Sequence, residues 1–527
     1  MIRSKPCATV KGPFLAALAV FLGLSLFSLA SAQTGVHPGF AFAPLRPAGF
    51  NPMVSGLDLL PDGTLAISTW DGFGATKGTV YLLPEAPTGT PATLSVKTYA
   101  TGLNEPLGIK SIAGNLHVIT RDKLLILPDA DGNGAAEAPR TLASGWGALN
   151  SDPRILEFAF GLPWREGKFY VGLATAWPVA TPQAKERGCI LEVDATTGAH
   201  TPFACGFRTP NGMALGPEDG LFITENQGNW VPASKLIHVK KGKFYGVRKE
   251  HPTGFPTGMT ETPPTLWLPH GDVSISPTQP VWLKSGRFKG QMIAGDNNLG
   301  TLHRYFLEKV AGDWQGAVLR FTAGLEAGAN RIVEGPDGTL YVGGIGTSLW
   351  GGWDWNDRWY GLQRLTPKSG SAFEFQAVRS KGASTFEIEF SEPAAAGAAT
   401  AANWTVRQWN YIPVEAYGQG KQPNENLTVR SATLSADGLK ATLDIGGLKT
   451  GRVVHIRLAN VMSREGRSLW SGEAWYTLNA FGPGTDATVE PVSVRKAPAR
   501  GPSLRMRGAF PSGLGWRDAA GRLRKVP

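Results

Sequence analysis

One phrase returns along this chain: an apolar run, a tight turn often written Pro-Asp-Gly, then a second apolar run. It reads SGLDLLPDGTLAIST over Ser55–Thr69, PLGIKSIAGNLHVIT over Pro106–Thr120 and EFAFGLPWREGKFYVGL over Glu157–Leu173. It returns as NGMALGPEDGLFITEN over Asn211–Asn226 and NRIVEGPDGTLYVGG over Asn330–Gly344, with a weaker copy, PVWLKSGRFKGQMIAGD, over Pro280–Asp296. Two apolar runs joined by a tight turn are a β-hairpin. A hairpin motif repeated every 40–55 residues or so, with room for further strands in each repeat, predicts a β-propeller, and six copies predict six blades. Such a fold gathers its binding residues from distant loops around one axial opening.

The two ends carry different signals. Arg3, Lys5 and Lys11 precede an apolar run, Phe14–Ala30, and then Ala30-Ser31-Ala32, the small-x-small pattern of a signal-peptidase site. Residues 1–32 are therefore expected to be a signal peptide cut before Gln33. The alternative is a retained anchor, although the run is slightly short for a full span. No other stretch is apolar enough to cross a bilayer, so the expectation is an exported protein, periplasmic or extracellular, with no stable membrane span after cleavage. The formal net charge is +10, to which the leader contributes three positive charges. Basic and aromatic residues are not gathered into a stripe, which argues against nucleic acid as a partner. Much of the positive surplus lies in the tail, Arg495–Lys525, and suits an anionic surface or simply solubility.

The propeller is expected over residues 39–366. From 371 to 480 the pattern changes to short alternating strands (AFEFQAV, TFEIEF, WTVRQW, LTVRSATL, KATLDI, VVHIRLANV, AWYTL), as in an Ig-like or fibronectin-like β-sandwich. Residues 483–527 have the composition of a basic Pro/Gly-rich tail. Cys189 and Cys205, the cysteines left once Cys7 leaves with the signal, fall on the last strands of the third blade. An oxidising compartment would join them in a disulfide; two free buried thiols are the alternative.

The densest polar cluster is GFRTPNGMALGPEDGLFITENQGNW, Gly206–Trp230. Arg208, Asn211, Glu225, Asn226 and Gln227 stand at strand ends, which in a propeller face the axis. A guanidinium, amides and a carboxylate converging there suit a ligand rich in carboxylate, carbonyl or hydroxyl groups; bracing of two blades by Arg208 and Glu225 is the structural alternative. Asp129, Asp131 and Asn133 alternate around glycines like the first half of an EF-hand loop. The twelfth position is Arg140, so a complete hand is excluded, and Glu137 would close a partial calcium site; a polar turn is the alternative. His270, next to Asp272, and His303, after Asp296, Asn297 and Asn298, are candidates for a proton acceptor or metal ligand. Trp350, Trp353 and Trp355 share one loop of the sixth blade and, with Trp230 and Trp70, are candidate stacking surfaces for sugar rings or packing at the junction with the sandwich.

The run Gly206-Phe207-Arg208-Thr209-Pro210-Asn211-Gly212, followed by Gly-Pro-x-Asp-Gly, is similar to the Gly-x-Arg-Asn-Pro-x-Gly signature of soluble quinoprotein glucose/sorbosone dehydrogenases. The chain more closely resembles an uncharacterised bacterial branch of that superfamily in Glu225–Gly246, Gly324–Gly346 and Tyr360–Leu365. The resemblance implies a six-bladed propeller that binds pyrroloquinoline quinone (PQQ) and calcium and oxidises sugars, passing electrons to a periplasmic acceptor. It places Arg208, Asn211, Asn226, Gln227 and Arg331 around the quinone. The pattern departs in three places. The family's general-base histidine corresponds to the stretch Asp152–Glu157, which has none, leaving Glu157 and His270 as weak substitutes. The arginine pair on the sixth blade is reduced to Arg331, and the asparagine after the signature arginine is Thr209. Three functions remain: a PQQ-dependent sugar dehydrogenase, a non-catalytic propeller holding a small molecule or glycan, and a lactonase-like hydrolase with an axial metal on Glu225, Asn226 and Asp296.

Overall fold

The computed structural model describes residues 35–484, except 73–75, 148, 150–154, 177–181, 256–257 and 347–354, together with the strands Gly515–Arg517 and Leu523–Lys525. The expected signal peptide therefore lies outside the described residues. Among these residues the chain is all-β: short 3-10 turns are present but no α-helix, and no helix is long and apolar enough to cross a membrane.

The six repeated phrases fall on six hairpins: Val54–Leu59 with Leu65–Thr69, Gly108–Ile112 with Asn115–Ile119, Ala159–Arg165 with Lys168–Leu173, Gly212–Leu215 with Leu221–Glu225, Pro277–Trp282 with Met292–Asp296, and Ala329–Glu334 with Leu340–Ile345. The Pro-Asp-Gly turn shows why. In the sixth hairpin Gly335 N donates to Thr339 O (2.7 Å), the Asp337 carboxylate accepts from Thr339 N (3.0 Å), and Gly338 adopts φ +82°, a backbone state that costs a residue with a Cβ.

Each hairpin opens an antiparallel four-strand sheet, named here sheets 1 to 6 in chain order. The first strands of successive sheets lie side by side, and that of sheet 6 lies against that of sheet 1, so the six stand in cyclic order. The ring is joined by the N-terminal strand Phe40–Pro44, which pairs with Tyr360–Pro367 as the outer strand of sheet 6. Apolar layers fill each gap between sheets; Ala66 and Val80 of sheet 1, for example, share a core with Ile109 and Val118 of sheet 2. A smaller cluster of Trp70, Leu107, Phe158, Phe160, Ala174 and Ile345 draws on sheets 1, 2, 3 and 6.

The remainder of this compact unit is a pair of facing sheets. Phe373–Ser380, Thr385–Phe390, Val429–Leu434, Lys440–Ile445 and Leu469–Ser471 form one; Trp404–Asn410, Gln422–Leu427, Arg452–Leu458 and Glu473–Leu478 form the other. Phe386, Ile388, Val406, Ile456 and Tyr476 lie in the core between them. Glu473–Leu478 also pairs with Asp313–Thr322, the outer strand of sheet 5, so one eight-stranded sheet runs through both parts. A buried triad strengthens the junction: Glu374 accepts from Arg304 Nη2 (3.1 Å) and bonds His37 Nε2 (2.8 Å). The strands Gly515–Arg517 and Leu523–Lys525 form a short antiparallel pair in a separate C-terminal unit.

Candidate functional site

A pocket opens at the starts of the first strands and the ends of the second strands, and every sheet lines it. Sheet 1 gives Trp70, sheet 2 Leu107, sheet 3 Phe158 and Phe160, sheet 4 Thr209, Asn211 and Asn226, sheet 5 Asn297, and sheet 6 Asn330, Arg331 and Ile345. The space between the lining atoms is about 450 Å³, open solvent included. One wall is flat and apolar, from Trp70, Phe158 and Phe160; the other is made of amides and a guanidinium.

Arg331 is the charge in this pocket and is buried. Its Nε donates to Ser55 O (2.8 Å), Nη2 to Leu107 O (2.9 Å), and Nη1 to Asn211 Oδ1 (3.2 Å), Asn330 O (3.0 Å) and Asn330 Oδ1 (2.9 Å). These acceptors are neutral oxygens from sheets 1, 2 and 6 and the start of sheet 4. No carboxylate among the described residues pairs with Arg331. Burial lowers its pKa to about 9, which still leaves it cationic at neutral pH. The amide oxygens of Asn226 and Asn297 are buried without a hydrogen-bond partner among the described residues, although Asn226 Nδ2 donates to Ser276 Oγ (2.7 Å). A buried acceptor left unpaired costs about 1–3 kcal/mol, so two of them at one pocket mark a place for donors from water or a ligand.

Arg208 is not among the lining residues and stands one residue before Thr209, which is. Its Nε is buried without a partner among the described residues, and its Cζ lies 5.2 Å from the Tyr417 ring centroid. The loop that carries it is held by Glu225, whose carboxylate accepts from Arg208 N (3.0 Å) and Thr209 N (2.6 Å). Burial raises the Glu225 pKa to about 7, against the opposing pull of those N–H groups and Lys235. Asp296 does the same for the loop between sheets 4 and 5: it accepts from Ser274 Oγ (2.7 Å), Ile275 N (2.8 Å), Ser276 N (2.9 Å), Asn298 N (2.9 Å) and Leu299 N (3.0 Å). Both carboxylates, suggested by the sequence as metal ligands, thus have their oxygens committed to the protein. An axial metal would have to draw them away and sit beside the Arg331 cation.

The remaining candidates are dispersed. Glu157 is buried and paired with Arg121 (3.1 Å). His270 is exposed on the loop after sheet 4; partial desolvation lowers its pKa, with the Asp296 carboxylate opposing. His303 is buried beside Thr301, and burial lowers its pKa to about 4. Gln227 donates to Pro232 O (3.0 Å), and Trp230 packs near Arg248 (5.5 Å). Trp355 donates to Leu325 O (3.3 Å) away from the pocket, while Trp350 and Trp353 lie outside the described residues. In the acidic loop, Asp129 Oδ2 accepts from Gly134 N (3.1 Å), Asp131 from Asn133 N (3.1 Å) and Glu137 from Ala130 N (2.8 Å), while Asp129 Oδ1 is buried without a partner among the described residues. Cys189 and Cys205 are joined in a disulfide (S–S 2.05 Å) across the last two strands of sheet 3.

Several pocket residues are not marked by the sequence as ligand sites: Leu107, Phe158, Phe160, Asn330 and Ile345. What they share is their place in the repeat, at the start of a first strand or just at the end of a second. Tyr417 lies in the second module, where the strand pattern drew attention away from the loops.

No family model matches this chain, and no curated protein matches it. Solved structures similar to it include the PQQ-bound aldose sugar dehydrogenase of Streptomyces coelicolor, at 18% identity over 63% of this chain and 100% of that one, with a TM-score of 0.45. The soluble aldose sugar dehydrogenase of Escherichia coli in its apo form matches at 14% identity over 62% of this chain and 100% of that one (TM-score 0.41). The holo PQQ domain of pyranose dehydrogenase from Coprinopsis cinerea matches at 14% over 63% and 97% (TM-score 0.45).

Proposed function

We propose that this chain is an exported six-bladed β-propeller with an Ig-like sandwich appended, and that its axial pocket binds a flat, anionic, hydroxyl- or carbonyl-bearing molecule. The observation that carries this reading is Arg331: a buried cation, open to a pocket formed by all six sheets, with no carboxylate partner among the described residues. A buried charge is costly unless paired, and an anion entering here supplies the missing partner. Arg208, next to the lining residue Thr209, adds a second cation, and Trp70, Phe158 and Phe160 offer flat faces.

PQQ, a planar tricarboxylate, is the first ligand proposed, in keeping with the Gly206–Gly212 block. The residues present fit it in charge and in flat faces. When bound, such a quinone supplies an acceptor for the hydride of a sugar or polyol carbon bearing a hydroxyl. The side chains of the described lining residues include no carboxylate and no imidazole to take the hydroxyl proton. His270, exposed on the loop after sheet 4 and outside the pocket lining, is proposed for that role.

A second reading rests on the orphaned amide oxygens of Asn226 and Asn297. They call for donors, which a sugar acid brings as hydroxyl groups, and in that case the propeller binds a carbohydrate without redox chemistry. Titration calorimetry of Gln33–Pro527 separates the readings, using PQQ in excess calcium and, separately, D-glucuronate. Quinone binding weakened by Arg208→Ala, followed by dye reduction with sugars that His270→Ala abolishes, establishes the dehydrogenase. Glucuronate binding alone establishes the second reading, and binding of neither removes both.

A further inference from the structure

The second module reaches the pocket rim. The segment Tyr411–Lys421, between the sandwich strands Trp404–Asn410 and Gln422–Leu427, lies along the sheet 4 loop that follows Asn226. Three backbone hydrogen bonds fix it: Trp230 N to Val414 O (2.9 Å), Gly418 N to Gly228 O (3.1 Å) and Gln419 N to Pro232 O (2.9 Å). Asn229 Nδ2 adds a bond to Glu415 O (2.8 Å), and Lys421 Nζ one to Asp272 (2.5 Å). Both sides of the contact are glycine, and Gly418 adopts φ +61°. A Cβ on Gly418 would come within 2.8 Å of the Gln227 amide, and one on Gly228 within 2.1 Å of Arg208 Nε. The Arg208 side chain therefore packs on Gly228, and its guanidinium carbon lies 5.2 Å from the centroid of the Tyr417 ring, which is 56% exposed.

This arrangement separates the two ways a guanidinium interacts. An aromatic ring occupies the face, whereas a carboxylate takes two N–H groups in the plane. The guanidinium carbon of Arg208 lies over the Tyr417 ring, and its Nε–H is buried without a partner among the described residues. We propose that Arg208 and Tyr417 form a carboxylate-binding fork beside the axial pocket, next to its lining residue Thr209, so that the sandwich contributes a specificity-determining residue to the propeller's site. Selectivity for carboxylate-bearing ligands over neutral ones then depends on Tyr417 holding the fork in place. The inference deepens the proposed function and rests on that reading for its ligand.

The test uses the full mature chain with Tyr417→Ala and Tyr417→Phe. Titrations with PQQ and with D-glucuronate should show binding retained in Tyr417→Phe and weakened about tenfold in Tyr417→Ala, the loss expected from a partly desolvated cation–aromatic contact. Phenylglyoxal labelling, read at the Arg208 peptide by mass spectrometry, needs no ligand. It should run several-fold faster in Tyr417→Ala than in wild type, while the melting temperature of both proteins stays the same. Equal affinity of Tyr417→Ala for a ligand that wild type binds would overturn the inference. So would equal labelling rates. If wild type binds neither probe, the functional reading falls, and the labelling rate alone decides whether Tyr417 covers Arg208.

Discussion

Replacing Glu225 with glutamine tests how the pocket rim is held. In the folded chain the Glu225 carboxyl has a pKa raised to about 7 against an ordinary 4.5, because burial penalises the ionised form more than the N–H groups of Arg208 and Thr209 and the nearby Lys235 favour it. The folded form therefore holds the proton more tightly than the unfolded chain. The resulting stabilisation is complete below pH 4.5, fades as the pH rises through the window to about 7, and is absent above it. Between pH 8 and pH 5 these two pKa values correspond to a gain of about 2.5 kcal/mol from this group alone. Glu308, also raised by burial, contributes in the same direction, so the wild-type slope by itself is not diagnostic. The comparison is: urea unfolding followed by tryptophan fluorescence at pH 5 and pH 8, in wild type and Glu225→Gln. The variant should lose about 2.5 kcal/mol of the wild-type pH difference. Its amide oxygen also leaves one of the two backbone N–H groups without an acceptor, so binding at Arg208 should weaken. An unchanged pH difference would refute the reasoning, since it would mean that Glu225 does not titrate between folded and unfolded states as its burial requires.

Other perturbations probe the ring. Replacing Cys189 and Cys205 with serine opens a loop of 16 residues and should cost about 3 kcal/mol, read as a lower urea midpoint that dithiothreitol reproduces in wild type. Gly108→Ala would put a Cβ 1.8 Å from Gly161 O of the adjacent sheet, so that variant should fail to accumulate as soluble protein, whereas Gly258→Ala, with nothing within 4 Å, should behave as wild type. Glu374→Ala leaves Arg304 buried without its carboxylate and should lower stability by about 3–5 kcal/mol in thermal unfolding. Arg331→Met removes a costly buried charge but strands several oxygen acceptors at about 1–3 kcal/mol each; a net loss of stability is expected, and a higher melting temperature would show that those oxygens do not solvate the cation.

The hairpins were legible because each is local: the Asp and Gly of the turn and the apolar runs beside it lie within one short segment, as at Gly335–Thr339. The outer strand of sheet 6 was not. Phe40–Pro44 carries no turn signal, and its partner lies at the far end of the ring. The disulfide was one of two readings, since spacing alone cannot tell whether Cys189 and Cys205 stand opposite each other on adjacent strands, as they do. Asn211 and Asn226, singled out for their place at strand ends, and Arg331, implied by the resemblance, line the pocket, whereas Arg208 stands one residue before the lining residue Thr209. Glu225 and Asp296 occupy similar places, yet their carboxylates turn to backbone N–H groups. Residue type and spacing do not distinguish these fates; the difference lies in which donors the neighbouring loop presents.

The pocket follows from the ring for a physical reason. Strands at the axis bring carbonyl groups from several sheets into one small volume, and an oxygen-rich volume favours a cation. Arg331 enters it from sheet 6 and reaches Ser55 O of sheet 1 and Leu107 O of sheet 2, which makes it a tie between the first and last segments of the ring as well as a charge lining the pocket. The two roles are compatible because the bonds to neutral oxygens hold the guanidinium without cancelling its charge. A carboxylate in the same place would have held it equally well and left nothing for a ligand. The neutrality of the cage, rather than the arginine alone, is what argues for an anion at this site.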